Sequence, residues 1–444
     1  MDRRTKIIAT IGPSSLDKIK ELSKYVDIFR INLAHGDDKQ RIEYLKRIRE
    51  EAPEVPILAD LPGLKLRVGK LEGDKIMVKR GQKIILGKEI PVNPLLFKIV
   101  SKGSYILISD GAIKVKIIEV GNDYAEGIVE SEGIISSGKG INIPNVKLPF
   151  SAREEDIRLA KLAKDYGVDF IGLSYVTSRD DIIKLREIVS EDVWIVAKIE
   201  MELKDLESVI NEADSVMIAR GDLGVQVGLE RLPIIQAKII RISRMFGKPV
   251  ILATQVLESM INSPQPTRAE IIDITNSVLN GVDAILLSDE TAIGNYPIEA
   301  VRTLDSVIRS VEKSFRIKGV PPIRSYDDAI AYAAVSAAKL SKARSILVFT
   351  RTGSTVLRIT RLRPKIDVIC FSNNKSLLRK LRICWGIITL EVDKIMEEIN
   401  INDLIGIMKK EALKRALVKR GDKVIIVAGT LPKRTNLLLV DEIN

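Results

Sequence analysis

Short, nearly uninterrupted apolar runs alternate with amphipathic segments over most of the chain. Eight of these runs, rich in β-branched residues and ending in polar ones, are predicted to be strands: 6–12, 28–33, 56–61, 169–176, 194–200, 215–221, 249–255 and 284–290. Segments of helical period lie between them, such as 14–24, 37–51, 152–166 and 267–280. Continuous apolar strands are typical of parallel sheets covered on both faces. The pattern favours an α/β fold built on a (β/α)8 TIM barrel, with a doubly wound sheet as the alternative.

Two other parts of the chain have different patterns. The stretch between the third and fourth strands is rich in glycine and contains short alternating strands, with prolines at both borders that are typical of hinges. After Pro321 and Pro322 the pattern becomes a mixture of helices and buried strands. The predicted domains are a barrel at 1–61 and 150–322, an inserted small β-barrel lid at 62–149, and a C-terminal α/β domain at 323–444. We find no internal repeat.

Composition excludes several classes of protein. A hydrophobic content of 45% argues against disorder, and no apolar run approaches the ~20 residues of a membrane span. The amino terminus lacks the apolar region of a signal peptide, and two cysteines are too few for a disulfide framework, so we expect a cytoplasmic protein. The single histidine, His35, argues against a serine triad or a three-histidine metal site. Catalysis is therefore expected from Lys, Arg, Asp, Glu and Thr.

The net charge of +11 is concentrated in the last quarter of the chain. Residues 324–444 contain 23 Lys and Arg against 12 Asp and Glu, and the remainder is balanced. A solvated basic surface and a pocket for a phosphorylated small molecule both explain this excess. A nucleic-acid partner is disfavoured, because aromatic residues that could stack on bases are sparse.

Polar residues end the predicted barrel strands, where the active sites of such barrels lie. They are Arg30, Asn32, His35, Asp60, Lys198, Glu200, Arg220, Asp222, Thr254 and Gln255. Lys198 and Glu200 are two apart, so they share one face of a strand. Taken alone they predict only a structural ion pair, but Asp222 from the next strand favours a divalent-metal site beside a cation. Two carboxylates with open positions suit Mg²⁺ or Mn²⁺, and such a set suits phosphoryl transfer.

Seven motifs occur in order along nearly the full length of the chain: RTKIIATIGPSS, FRINLAHG, AKIE, SVMIARGDLGV, ILATQVLESM, PTRAE and LSDETAIGNYP. In sequence and order they resemble the motifs of the pyruvate kinase family. The resemblance implies transfer of phosphate from phosphoenolpyruvate to ADP, giving pyruvate and ATP in glycolysis. It also implies a barrel with an inserted lid, a C-terminal regulatory domain and a homotetramer.

The resemblance also implies roles for individual residues. Catalytic and substrate-binding roles fall to Lys198 and Arg30 at the phosphoryl group, to Gly221, Asp222 and Thr254 at the substrate carboxylate, and again to Thr254 as a proton relay. The divalent metal would be held by Glu200 and Asp222. The nucleotide phosphates would be contacted by Asn32, His35 and Arg67, with Asp110 and Lys139 of the lid closing over them.

The chain departs from the family pattern at the site where many members hold potassium. Asn32 and Asp60 remain, but Ala34 and Leu61 replace a serine and a threonine, and Lys65 replaces a glutamate. Because a fixed ammonium group can supply the positive charge of the ion, we expect activity without K⁺. Asp289 and Ile293 are further departures, in LSDETAIG, without an assigned effect.

A loop in the last domain follows a predicted strand and opens a helix, which is typical of a phosphate cradle. It comprises Thr350, Arg351, Thr352, Gly353, Ser354 and Thr355, and it resembles the family's effector loop, which predicts control by a phosphorylated metabolite. Two rival functions stay open. A metal-dependent lyase acting on a pyruvate enolate would not use the lid, and a degenerate sensor or RNA binder would not need the retained strand-end residues.

Overall fold

The computed structural model describes residues 3–63, 66–109, 111–144, 150, 153–314, 319–392, 400–429 and 434–444. Eight parallel strands close into a barrel in the order β1-β16-β15-β14-β13-β12-β3-β2. They are β1 (Lys6–Thr10), β2 (Ile28–Asn32), β3 (Ile57–Asp60), β12 (Phe170–Leu173), β13 (Trp194–Ile199), β14 (Ser215–Ala219), β15 (Val250–Ala253) and β16 (Ala284–Leu287). Each of the eight predicted runs contains one of them. The predicted barrel is confirmed, and the doubly wound sheet was the wrong alternative.

Helices pack outside the barrel strands and follow them in the chain. They are α1 (Ile19–Leu22), α2 (Asp38–Glu51), α4 (Glu154–Asp165), α5 (Arg179–Val189), α6 (Leu206–Glu212), α7 (Arg220–Val227), α8 (Leu232–Phe246), α9 (Arg268–Asn280), α10 (Asp289–Ala292) and α11 (Pro297–Ser314). Helix α9 shows how the sequence sets their bounds. Thr267 and Glu270 form a capping box at its start, and Gly281 ends it with φ 85°.

The inserted segment forms antiparallel sheets. Its elements are β4 (Leu66–Arg67), β5 (Lys75–Val78), β6 (Lys83–Leu86), α3 (Leu95–Ile99), β7 (Tyr105–Ile108), β8 (Ile113–Val120), β9 (Ala125–Val129), β10 (Gly133–Ser136) and β11 (Gly140–Asn142). Six of these strands pair in the order β4-β11-β7-β8-β9-β6, and β10 pairs with β5 separately. The segment has its own apolar core, which contains Val78, Ile106 and Val115. The inserted β domain of the predicted fold is confirmed, and its six-stranded antiparallel sheet has the form of a half-barrel.

A second α/β unit follows the barrel. Its elements are α12 (Tyr326–Ser341), β17 (Ser345–Phe349), α13 (Ser354–Thr360), β18 (Asp367–Ser372), α14 (Lys375–Leu381), β19 (Ile387–Glu391), α15 (Ile401–Lys414), β20 (Lys423–Ala428) and β21 (Leu437–Glu442). They form the sheet β19-β18-β17-β20-β21, in which only β21 is antiparallel. The predicted C-terminal α/β domain is confirmed. Strand β21 was not predicted, and its residues are half-buried or exposed rather than buried.

The amino-terminal end of the barrel carries a four-fold feature that the sequence analysis missed. An aspartate precedes every second strand, and its carboxylate accepts the backbone N–H of a residue on the preceding neighbour at 2.8–3.0 Å. The four are Asp27, Asp169, Asp214 and Asp283, and each is also paired with at least one arginine. The repeat therefore ties adjacent strands together at this end.

Part of the basic excess of the last domain is used to dock it on the barrel. Arg363 forms a buried two-pronged ion pair with Asp283 at 2.8 and 2.6 Å, and Arg379 reaches Asp169 at 2.6 Å. Arg382 donates to the carbonyl of Glu54 at 2.7 Å. These contacts explain several of the cations that the sequence analysis assigned to a solvated surface or a ligand pocket.

Candidate active site

A cleft of about 270 Å³ opens at the carboxyl ends of the barrel strands. Nine of the residues predicted from sequence line it: Arg30, Asn32, His35, Asp60, Arg67, Lys198, Glu200, Asp222 and Thr254. They come from different strands and from the lid, and they meet because parallel strands end at the same edge of the barrel. Gly221 lies beside the cleft and donates its N–H to Thr254 Oγ1 at 2.8 Å.

The floor of the cleft is a network of buried charges. Lys198 Nζ lies 3.0 Å from Asp60 Oδ1 and 3.2 Å from Glu200 Oε1, and it donates to Ser174 Oγ at 2.7 Å. Arg30 donates twice to Asp60 Oδ2, from Nε at 2.9 Å and from Nη2 at 2.6 Å. Asp60 thus holds both cations in place from a fully buried position.

The pKa shifts of this network follow from burial and from the pairing of charges. Burial opposes the charge of Asp60, but Lys198 and Arg30 outweigh it and hold the pKa of the carboxyl below its usual range. Burial likewise opposes the charge of Lys198, but Asp60 and Glu200 raise its pKa. Lys198 therefore stays an ammonium group at neutral pH.

Glu200 is a buried carboxylate whose charge Lys198 compensates only in part. Burial raises the pKa of Glu200, Lys198 opposes that shift, and the nearby charge of Asp222 adds to it. Tyr175 connects the two acids, because its backbone N–H donates to Glu200 Oε2 at 2.5 Å and its hydroxyl donates to Asp222 Oδ1 at 3.2 Å. An added cation between the acids would relieve their repulsion.

The donor set fits a divalent metal that takes its remaining ligands from substrate and water. Glu200 and Asp222 supply carboxylate oxygens, which Mg²⁺ and Mn²⁺ prefer. Two carboxylates make an incomplete shell; within the described ranges, no three His, Cys, Asp or Glu side chains group as metal ligands. Such a shell is what magnesium sites next to phosphate groups require.

The turn after β15 is held in an unusual backbone conformation. Thr254 and Gln255 have φ of 67° and 52°, in the left-handed region that side chains rarely adopt. Arg220 binds this turn from the start of α7, donating to the Thr254 carbonyl at 2.8 and 3.1 Å and to the Gln255 carbonyl at 2.6 Å. It is paired with Asp273 at 2.5 Å. The Thr254 hydroxyl is thereby aimed at the N-terminal turn of α7.

Two family models match most of the chain. Residues 2–301 match the family model described as pyruvate kinase, barrel domain, and residues 328–440 match the pyruvate kinase alpha/beta domain. The chain belongs to the pyruvate kinase family. Members of this family are enzymes of the transferase class.

Individual pyruvate kinases resemble the chain over nearly their whole length. The enzyme of Thermococcus litoralis is 37% identical, with 96% of this chain and 95% of the relative covered. That of Methanocaldococcus jannaschii is 33% identical, with coverage of 100% and 99%. A crystal structure of a pyruvate kinase from Cryptosporidium parvum superposes with a TM-score of 0.90 at 32% identity, covering 100% of this chain and 97% of that one.

The predicted nucleotide-binding residues lie at one end of the cleft. Asn32 ends β2 and His35 follows it, while Arg67 reaches in from the lid and donates to the Gly138 carbonyl at 2.9 Å. Burial and the charge of Arg67 lower the pKa of His35. Lys139 is exposed on the lid and does not line the cleft. Asp110 lies outside the described residues, as does Lys65 of the predicted cation site.

The oxygens around the remaining cation-site positions already have partners in this pyruvate kinase fold. Asn32 Oδ1 accepts the N–H of Ala34 at 3.2 Å, and the carbonyl of Leu61 accepts the Ser174 hydroxyl at 2.7 Å. Asp60 is bound to Arg30 and Lys198, as described above. Each of these groups therefore already has at least one hydrogen bond or ion pair within the protein.

The predicted effector loop joins β17 to α13, as expected from the sequence. Thr350 Oγ1 accepts the N–H of Gly353 at 2.9 Å, and Gly353 has φ 86° at the start of the helix. Thr355 lies behind the loop, with its hydroxyl 2.5 Å from that of Thr435. Arg351 is exposed on the loop.

Several residues that shape the site were not predicted. Ser174 and Tyr175 directly follow β12, and they contact Lys198 and both acids. No charged residue stands beside them in the sequence to indicate a site. Arg153 donates to the carbonyls of Ser174 and Tyr175 at 2.6 and 2.7 Å. Asp289 also lines the cleft, so this departure from the family motif faces the site. Sequence offered no signal for Arg153, because its partners lie more than twenty positions away.

Proposed function

We propose that the chain transfers the phosphoryl group of phosphoenolpyruvate to ADP, giving pyruvate and ATP, with Mg²⁺ or Mn²⁺ bound at Glu200 and Asp222. One observation carries the proposal: Lys198 lies in the same cleft as Arg30, both acids and Thr254. Family membership supports the choice of substrates. Bound at the two acids, the metal would neutralise substrate oxygens and orient them.

The protein side chains have separate tasks in this reaction. Arg30, held by Asp60, donates to the phosphate of phosphoenolpyruvate with a fixed fork of N–H groups. Lys198 keeps its charge and stabilises negative charge on the transferring phosphoryl group and on the enolate oxygen. Because both cations are fixed before substrate binds, little reorganisation is needed during transfer.

Gly221, Asp222 and Thr254 have the task of holding the substrate carboxylate. The N-terminal turn of α7 presents backbone N–H groups there, and the Gly221 N–H is bonded to Thr254 Oγ1. A substrate carboxylate would take over this N–H and free the Thr254 hydroxyl. That hydroxyl can then pass its proton to the methylene carbon of enolpyruvate and regain one from water, which completes formation of pyruvate.

ADP binds, in this proposal, at the end of the cleft formed by Asn32, His35 and Arg67, with Asp110 and Lys139 approaching from the lid. The positive charge of Arg67 suits contact with phosphates. Burial and Arg67 lower the pKa of His35, and its neutral imidazole still donates one hydrogen bond. We further propose domain limits of 1–61 with 150–322, 62–149 and 323–444.

Activity without potassium is part of the proposal. Its support is that protein groups occupy the described oxygens of Asn32, Asp60 and Leu61, together with the change to Lys65 in the sequence. Equal rates in potassium, sodium and choline buffers are expected. Restoring serine at Ala34, threonine at Leu61 and glutamate at Lys65 together should create a requirement for potassium. Strong potassium activation of the wild type would contradict the proposal.

The wider setting follows from family membership. We propose a glycolytic, cytoplasmic homotetramer controlled by a phosphorylated metabolite at the Thr350–Thr355 loop. Large exposed apolar side chains support assembly, namely Leu229, Ile234 and Ile272 on the barrel and Tyr326 and Leu340 on the last domain. No helix among the described residues is long and apolar enough to cross a membrane. Kinetics unchanged by a panel of phosphorylated sugars and nucleotides would argue against the effector.

The decisive experiment measures pyruvate formation from phosphoenolpyruvate and ADP with Mg²⁺. The wild type should be active and Lys198→Met should be inactive. Lys164→Met is a matched control, because Lys164 is an exposed lysine on α4 that donates to the carbonyl of Ile188. An inactive wild type that still binds Mn²⁺ would instead support the lyase or sensor functions.

A further inference from the structure

Tyr175 contacts both acids of the candidate metal site from opposite ends of one residue. Its backbone N–H donates to Glu200 Oε2 at 2.5 Å, and its phenol hydroxyl donates to Asp222 Oδ1 at 3.2 Å. Glu200 comes from the end of β13 and Asp222 from the start of α7. Tyr175 belongs to neither element. It therefore links two carboxylates whose distance from each other is not fixed by the barrel strands alone.

Tyr175 is itself held firmly. Its backbone has φ 50°, and its carbonyl accepts from Arg153 at 2.7 Å. Its ring packs on Gly63, where an added Cβ would lie 2.8 Å from Cδ2 of the tyrosine. The phenol therefore has little freedom to turn away from Asp222.

The bonding pattern suits a residue that arranges metal ligands. Two neighbouring carboxylates repel each other, and a hydrogen bond to each reduces the cost of bringing them together. Tyr175 occupies one oxygen of each acid and leaves the other oxygen to different partners. For Glu200 that other oxygen, Oε1, lies 3.2 Å from Lys198 Nζ.

We propose that Tyr175 is a positioning residue for the divalent metal, holding Glu200 and Asp222 at binding distance before the ion arrives. This inference rests on the proposed metal site at these two acids. Groups that hydrogen-bond to metal ligands commonly change metal affinity by 10–100-fold when removed. Loss of the phenol alone should therefore weaken metal binding while leaving the chemistry of transfer in place.

The test measures Mn²⁺ binding to the full chain by electron paramagnetic resonance, without substrates. Tyr175→Phe removes only the hydroxyl and keeps the backbone N–H to Glu200. We expect its Mn²⁺ dissociation constant to rise about tenfold, and its half-saturating Mg²⁺ concentration to rise similarly with kcat within about threefold of wild type. Tyr44→Phe is the matched control, since the Tyr44 hydroxyl accepts from Gln40 on α2 and should leave Mn²⁺ affinity unchanged.

The outcomes separate this inference from the proposed function. Tyr175→Phe with wild-type Mn²⁺ affinity, while Glu200→Gln abolishes binding, would overturn the positioning role and leave the metal site standing. A wild type that binds no Mn²⁺ would overturn both. If Tyr175→Phe folds poorly, a second measurement replaces it. Ultraviolet difference spectra, recorded with and without Mn²⁺, are compared for the wild type and for Tyr44→Phe. A tyrosine signal there supports the role, and its absence refutes it.

Discussion

The two ends of the barrel use the same residue types for opposite purposes. At the amino-terminal end, Asp169 and Asp283 are almost fully buried, and each is bound to arginine and to a backbone N–H. At the carboxyl end, Glu200 and Asp222 face a cleft, and burial and mutual repulsion raise the pKa of Glu200. The first end holds the molecule together, whereas the second keeps charge available for a ligand.

The difference shows why a buried ion pair has no fixed meaning. An acid whose hydrogen-bonding capacity is saturated stabilises the fold, and removing its partner leaves an uncompensated charge. An acid that lies beside another acid in an open cleft costs stability until a cation binds. Substitutions at the two ends should therefore separate stability from activity.

The largest effect is expected at the carboxyl end. Lys198→Met should lower kcat by about 10³-fold or more, because the ammonium group acts where charge develops during transfer. Steady-state kinetics at saturating phosphoenolpyruvate measures it. The urea midpoint should fall as well, because Asp60 and Glu200 lose a buried cation, so kcat is measured on protein that circular dichroism shows to be folded. A variant that keeps a tenth of wild-type kcat would remove Lys198 from the mechanism.

Asp283→Asn should produce the converse result at the amino-terminal end. The substitution breaks the buried ion pair with Arg363, which also donates a hydrogen bond to the Gly281 carbonyl. The free energy of unfolding should fall by about 3 kcal/mol. Urea denaturation followed by fluorescence and by circular dichroism measures the loss. KM for phosphoenolpyruvate should stay within twofold. A large change in KM at unchanged stability would contradict the purely structural role of the amino-terminal end.

Asp214→Asn is a graded test within the four-fold repeat. Asp214 has a side chain 23% exposed, against 3% for Asp283, and its arginine partner, Arg186, is 20% exposed. Solvent screening should reduce the loss to about 1 kcal/mol, measured by the same denaturation. Equal losses for the two aspartates would show that burial does not set the strength of this repeat.

The smallest effect concerns the single histidine at the carboxyl end. Burial and Arg67 lower the pKa of His35, so its imidazole should titrate below 6.5 in a proton NMR titration. Since the folded state disfavours the charged form, the stability linked to His35 is complete above its ordinary pKa and decreases as pH falls through it. Arg67→Gln should move the midpoint upward. A midpoint above 6.5 in the wild type would contradict this electrostatic account.

Much of the fold was predictable because it depends on local pattern. Continuous apolar runs such as 215–221 identify buried parallel strands, and the strand ends then place Lys198 and Thr254 at one edge by topology alone. The tie between Asp283 and Arg363 was not predictable in this way. These two residues are eighty positions apart, and nothing in the spacing of charges indicates which arginine reaches which acid.

By itself, the sequence determined the strand-and-helix order, the family and the kinds of side chain at the mouth of the barrel, since periodicity and motifs are local properties. Only the tertiary structure decided that Tyr175 bridges Glu200 and Asp222, and that the basic last domain docks through Arg363 and Arg379. Hydrogen bonds and ion pairs act over about 3 Å, so their partners are set by how distant segments pack.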